Sequence, residues 1–189
     1  MRDYGRVVTV TPPAALMSVE TAKAWLRFSG TADDTVIEML LAAVTEEVEE
    51  QLLHQYLMPR TVDVYFDGWP DSHVLALPAP LRVVTSLTYY DRDGQAHTLP
   101  ADDYVVSTPG LQPTLIVTTR PGTQLRTVDG VVVRCEVGHA SAEAVPVRYQ
   151  LLTLALVAVD FANRDALAAD AQRQRENVKL RLLGERAVG

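Results

Sequence analysis

At 189 residues, of which 48% are hydrophobic and 22% charged, the chain has the material for a well-filled core of ordinary domain size, and wholesale disorder is excluded. A formal net charge of −7 argues against a general polyanion binder, whose affinity comes from Lys and Arg neutralising phosphates. The organisation expected is one domain with an extension.

Residues 1–17 read as an irregular or extended arm, with Val7, Val8 and Val10 ahead of the Pro12-Pro13 break. These prolines also interrupt any apolar stretch of signal-peptide length, so neither secretion nor membrane insertion is expected. Ser18 is a good N-cap for a helix over 18–28, whose Ala22, Trp25 and Leu26 fall on one face and which stops at Ser29-Gly30. A second helix is expected over 31–57, opening with Asp33 and Asp34 at the positive end of its dipole. Val36, Ile37, Leu40, Leu41, Val44, Val48 and Leu52 recur at helical spacing, and Glu46, Glu47, Glu49 and Glu50 cover the remaining surface.

After Pro59 the period becomes two: Val62, Val64 and Phe66 share one face of a strand. Gly68-Trp69-Pro70-Asp71 reads as a turn with Trp69 as a core anchor, and further strands are expected over 73–77, 82–90, 104–107, 115–119 and 131–137. Asp91-Arg92-Asp93-Gly94 has the composition of a hairpin loop. The middle of the chain, within 61–137, is therefore a small, mainly antiparallel sheet. Pro146 opens a helix over 146–163 with an apolar stripe of Val147, Leu151, Leu154, Ala158 and Phe161, widened by Leu152, Leu156 and Val159. Residues 164–189 form a helical extension and tail with the thin stripe Leu167, Ala171, Val178 and Leu182. A stripe this narrow buries little apolar area alone and needs a partner. The fold class is α+β, with N-terminal helices and a C-terminal long or bent helix around the sheet.

Chemistry is hard to find in this pattern. His54, His73, His97 and His139 have no neighbour at metal-ligand spacing, and no nucleophile elbow or phosphate-binding loop is present. Asp33 with Asp34 is explained by the helix dipole and Glu46 to Glu50 by solvation, which leaves a carboxylate-dependent hydrolase as a minor alternative. Asp91 and Asp93 lack the later bidentate acid of a calcium loop, because Gln95-Ala96-His97-Thr98 follows. The single cysteine, Cys135, lies in the apolar run 131–137 and is expected to be a buried structural thiol made in a reducing cytoplasm. No catalytic, metal or cofactor-binding residue is assigned. Basic residues outnumber acidic ones after Arg164, the only support for a DNA-binding regulator.

The order of parts does match a known pattern. Val19-Glu20-Thr21-Ala22-Lys23-Ala24-Trp25-Leu26-Arg27, Asp33-Asp34, Asp67-Gly68-Trp69-Pro70 and Leu77-Pro78-Ala79-Pro80-Leu81 begin an ordered series. It continues through Val84-Thr85-Ser86-Leu87-Thr88-Tyr89-Tyr90-Asp91, Gly94, Asp103-Tyr104-Val105, Val137-Gly138, Val145-Pro146 and Asn163-Arg164-Asp165. The series resembles the head-tail connector family, also called adaptor or head-completion proteins, of tailed phages and gene transfer agents. His54-Gln55 stands where that family commonly has Thr-Gly, and the aromatic-rich end of the penultimate helix is reduced to Val159-Asp160-Phe161-Ala162.

The resemblance implies a non-enzymatic subunit, without cofactor, of a ring commonly of about twelve copies. Such a ring docks on the portal protein, receives tail or neck proteins, and meets DNA only as it passes through the channel. The expected location is the virion neck, with a tail terminator or a neck protein at an adjacent layer as the alternative. Arg164, Leu167, Arg173, Arg175, Val178, Lys179 and Leu182 are then candidates for portal docking, and Val7, Val8, Val10 and Trp69 for contacts between subunits.

Overall fold

A computed structural model describes residues 5–110, 112–163 and 169–184. It has the expected α+β architecture, and every strand pairing is antiparallel. The chain forms two compact units: Met1–Pro13 with Pro59–His139, and Ala14–Met58 with Ala140–Gly189. Of the arm expected over 1–17, the part up to Pro13 belongs to the first unit and the remainder to the second, which also holds the C-terminal helix.

The first unit holds two sheets where one was expected. Strands β1 (Arg6–Thr9), β2 (Arg60–Phe66), β3 (Val74–Ala76), β4 (Leu81–Tyr90), β5 (Ala96–Thr98), β6 (Tyr104–Ser107), β7 (Thr114–Val117) and β8 (Val131–Val137) follow in chain order. The five-stranded sheet has the order β1-β2-β8-β4-β5 and the three-stranded sheet β3-β7-β6. Strands β1 and β5 were not expected. Each is short and mostly or wholly exposed, so the alternation that marks a strand has too few residues to register. Val62 and Val64 of β2 are fully buried and face Cys135 and Val133 of β8, as the period-two pattern requires. Between them Asp63 is buried opposite Arg134, whose Nε and Nη2 donate to its two carboxylate oxygens at 2.7 Å. This bidentate pair, together with the nearby carboxylate charge, raises the Arg134 pKa.

The hairpin between β4 and β5 is closed by its own first residue. Asp91 Oδ1 accepts from the backbone N–H of Asp93 and Gln95 at 3.0 and 2.9 Å, and Gly94 takes a positive φ. Close approach also requires glycine at Gly5, where a Cβ would stand 2.0 Å from the carbonyl oxygen of Tyr65.

The second unit is helical: α1 (Val19–Leu26), α2 (Asp34–Glu47), α3 (Val147–Ala162) and α4 (Ala169–Leu183). Ser18 caps α1 by accepting from Thr21 N–H at 3.2 Å. Ala22, Ile37, Leu41, Val44, Val48, Leu152, Leu156 and Val157 form the centre of its core. Trp25, Val36 and Val147 depart from expectation, being 47%, 39% and 66% exposed. Each lies at the margin of its stripe, and the core takes only the central positions. In α3 these include Leu154, as expected, together with Leu152 and Leu156, which had been read as the flank.

Helix α2 ends in a π-helical stretch, Val48–Leu53, which interrupts the long helix expected to 57. The wider turn rotates Glu49 inward, contrary to its expected place on the surface: it is 3% exposed, and its Oε1 accepts from Leu57 N–H at 2.7 Å. His54 closes this stretch with φ 52, the left-handed conformation that a glycine adopts without strain.

Candidate assembly site

Helix α4 was expected to need a partner, and within the second unit it has one. Val178, Leu182 and Leu183 pack against the helical core. Beside them the Arg175 guanidinium donates to Asp160 of α3 through Nη1 and to Glu47 of α2 through Nη2. Lys179 Nζ lies 3.3 Å from both Glu47 and Glu176. Arg175 and Glu47 are only 15% and 20% exposed in their side chains, so solvent screens this cluster less than a surface pair. Burial, the largest influence on Arg175, opposes its charge, but its hydrogen bonds to the Asp160 and Glu47 carboxylates outweigh it and hold the guanidinium above its ordinary pKa.

Arg175, Val178, Lys179 and Leu182, expected to point at another protein, thus face the chain's own α2 and α3. The stripe Val178-Leu182 was read correctly, but the acids that complete the contact lie on distant segments of the sequence. Arg173 points outward in a 2.7 Å pair with Asp170. Leu180, 43% exposed, and the exposed Arg181 share that outer side of α4 and were not singled out in the sequence. Arg164 and Leu167 lie outside the described residues.

Among the subunit-contact candidates, Val7 is half-buried opposite Val64, while Val8 and Val10 are 39% and 46% exposed. Trp69 is half-buried, with its ring 6.1 Å from that of Tyr89. Its indole N–H is buried without a hydrogen-bond partner among the described residues. Next to it, the Pro70 carbonyl accepts from Arg120 Nη2.

Several of the carboxylates that a hydrolase would need are engaged in structure. Asp34 pairs with Lys23 at 2.7 Å, Glu47 holds α4, and Glu49 caps the turn after α2. Asp91 completes its set with His97 Nε2 at 2.8 Å, and this hydrogen bond first, then the Gln95 and Asp93 amides, lowers its pKa. Among the described residues no group of three or more His, Cys, Asp or Glu is placed to hold a metal ion, and no helix is long and apolar enough to cross a membrane. Cys135 is fully buried, and its desolvated thiol is pushed up to about 12.

No family model and no curated protein sequence matches the chain. Solved structures do. A chain in the neck of an empty GTA particle, computed with C6 symmetry, superposes with TM-score 0.73 at 21% identity, over 92% of this chain and 94% of that one. A chain in the virion of a native gene transfer agent particle gives 0.72 at 22% identity, covering 90% and 93%. One in the neck of a native GTA particle, computed with C12 symmetry, gives 0.68 at 20% identity, covering 94% of both. From its helices to its two sheets, the chain has the fold of a component of gene transfer agent particles.

Proposed function

We propose that this chain is a structural head-tail connector subunit of a tailed phage or gene transfer agent particle, located in the neck. In this reading copies form a ring that docks on the portal protein and joins head to tail around the DNA exit channel. The observation that carries the proposal is the end-to-end likeness to a neck chain, 92% of this protein against 94% of that one, a span larger than either unit. The ordered sequence series from Val19 to Asp165 supports it independently. The net charge of −7 suits a channel lining to which passing DNA should not adhere.

With Arg175, Val178, Lys179 and Leu182 turned inward, the outer side of α4, carrying Arg173, Leu180 and Arg181, is the docking surface in this proposal. Electron microscopy of the full-length protein mixed with purified portal rings tests it. A cyclic layer of this chain seated on the portal is the expected result. A chain that joins only the tail end of the neck would identify a tail terminator instead, and one that never joins a particle would end the proposal.

A further inference from the structure

The three-stranded sheet has two open edges among the described residues, and their main chains are complementary to each other. In the order β3-β7-β6 both outer strands are antiparallel to β7, so β3 and β6 run in the same direction. Leu77 N–H donates to the Pro113 carbonyl and Val117 N–H to the His73 carbonyl, at 2.8 and 2.9 Å. Pairing with β7 thus uses the main chain of His73, Leu75 and Leu77, and the alternation of an antiparallel ladder turns the N–H and C=O of Val74 and Ala76 to the open edge. On the other side Thr118 N–H donates to the Asp103 carbonyl at 2.8 Å, so Asp103, Val105 and Ser107 bond toward β7 while Tyr104 and Val106 turn outward. Val74 N–H reaches Ser72 Oγ at 3.4 Å, a long contact that a carbonyl would readily replace. Neither edge strand holds a charge, a proline or a bulge, devices that commonly blunt an edge. Val74, Leu75 and Ala76 line an open cleft of about 1050 Å³, so there is room for a strand beside β3.

We infer that β3 of one copy pairs in parallel with β6 of the next, so that the three-stranded sheets run on from subunit to subunit around the ring. The inference rests on the connector reading above. In a parallel ladder one residue bonds to the two that flank its opposite number. Val74 set beside Val105 of the neighbouring copy meets this requirement: its N–H donates to that copy's Tyr104 carbonyl, and its C=O accepts from that copy's Val106 N–H. Ala76 N–H then donates to the carbonyl of the same Val106. The side chains agree with this register. Val105, Ile116 and Val74 already stand in lateral register on one face, 56%, 38% and 37% exposed, and Val105 of the next copy continues the row. A strand from an unrelated protein would cover one edge and leave the other open. A copy of this chain brings the matching edge with it, and head-to-tail pairing of this kind leaves neither edge open once the ring closes.

The test is a disulfide that this pairing allows and a single chain does not. Val74 and Val105 of one chain lie two strand spacings apart, about 9–10 Å, beyond the reach of a disulfide, whereas Val74 and the neighbouring copy's Val105 would be about 5 Å apart, within it. Full-length protein carrying Val74→Cys and Val105→Cys is assembled on purified portal, mildly oxidised and run on a non-reducing denaturing gel. Electron microscopy counts the rings and circular dichroism checks the fold. Cys135 is fully buried and does not compete. The double variant should give a ladder of linked subunits, and each single variant monomers. Rings of the folded double variant that yield monomers would overturn the inference, as would a ladder from a single variant. If the double variant does not fold or assemble, Val106→Pro decides, or Ala76→Pro on the facing edge. Each removes an outward N–H without touching a bond to β7, and ring formation should fall about tenfold or more. Rings of wild-type abundance from these folded variants would overturn the inference and leave the connector reading standing. Wild-type protein that forms no ring on the portal would remove the connector reading and this inference with it.

Discussion

Arg175 donates to Glu47 across 128 positions of sequence, joining the last helix of the chain to one of its first. Replacing Arg175 by Ala leaves Glu47 and Asp160 half-buried and adjacent without their shared cation. We expect a loss of about 2 kcal/mol, concentrated in α4. Hydrogen exchange over residues 169–183 should accelerate well before that of α2 and α3. Uniform acceleration throughout the helical unit would show that α4 is not separately held.

The left-handed His54 gives a paired prediction. His54→Gly relieves backbone strain but loses the 2.7 Å contact between Nδ1 and the Glu50 carbonyl, and the balance should be neutral to stabilising by up to about 1 kcal/mol. His54→Val, β-branched at positive φ, should cost about 2 kcal/mol. Denaturant midpoints of the two variants on opposite sides of the wild type, or glycine level with it and valine below, would agree. Equal midpoints for both variants would not.

Gly5→Ala drives a methyl group into the Tyr65 carbonyl, which is main chain and cannot swing aside. The expected outcome is loss of exchange protection in Val7 to Thr9, with β2 still paired to β8. An unchanged β1 would mean that the arm can shift along β2 without penalty.

Much of the fold was legible because its strongest signals are local. The alternation at Val62 to Phe66, the heptad-like run from Ile37 to Val48 and the Ser18 cap each follow from side chains a few residues apart. What escaped was set by distant partners. Glu49 is buried because a π-helical turn rotates it toward Leu57, and Trp25 is exposed because the core of α1 closes on Val19, Ala22 and Leu26. The assembly surface divides in the same way. The thin stripe at Val178 and Leu182 could be read from spacing, but not that Glu47 and Asp160 would hold its flank.

Cys135 should be inert in the native protein. With its thiol pushed up to about 12 and no exposed surface, labelling by a thiol reagent at pH 8 should proceed only as fast as the sheet opens. A labelling rate independent of denaturant and equal to that of a free thiol would contradict this.

His139 links stability to pH. Burial lowers its pKa below the ordinary 6.5, and its Nε2 is enclosed without a partner among the described residues. The unfolded chain therefore binds more protons than the folded one once the pH drops below about 6.5, and stability should fall as the solution is acidified through that value. His139→Gln should flatten this part of the stability-pH curve, and a slope identical to wild type would assign the linkage elsewhere.

The discontinuous construction of the two units imposes an order on synthesis. Strand β8 ends at Val137, so every strand of the sheet unit has been translated before α3 begins at Val147. Helices α1 and α2 emerge earlier but lack the α3 residues Leu152, Leu156 and Val157 that complete their core. The nascent helical half must therefore carry the apolar side of α2 uncovered while strands β2 to β8 are made, which is the interval when a chaperone would find it.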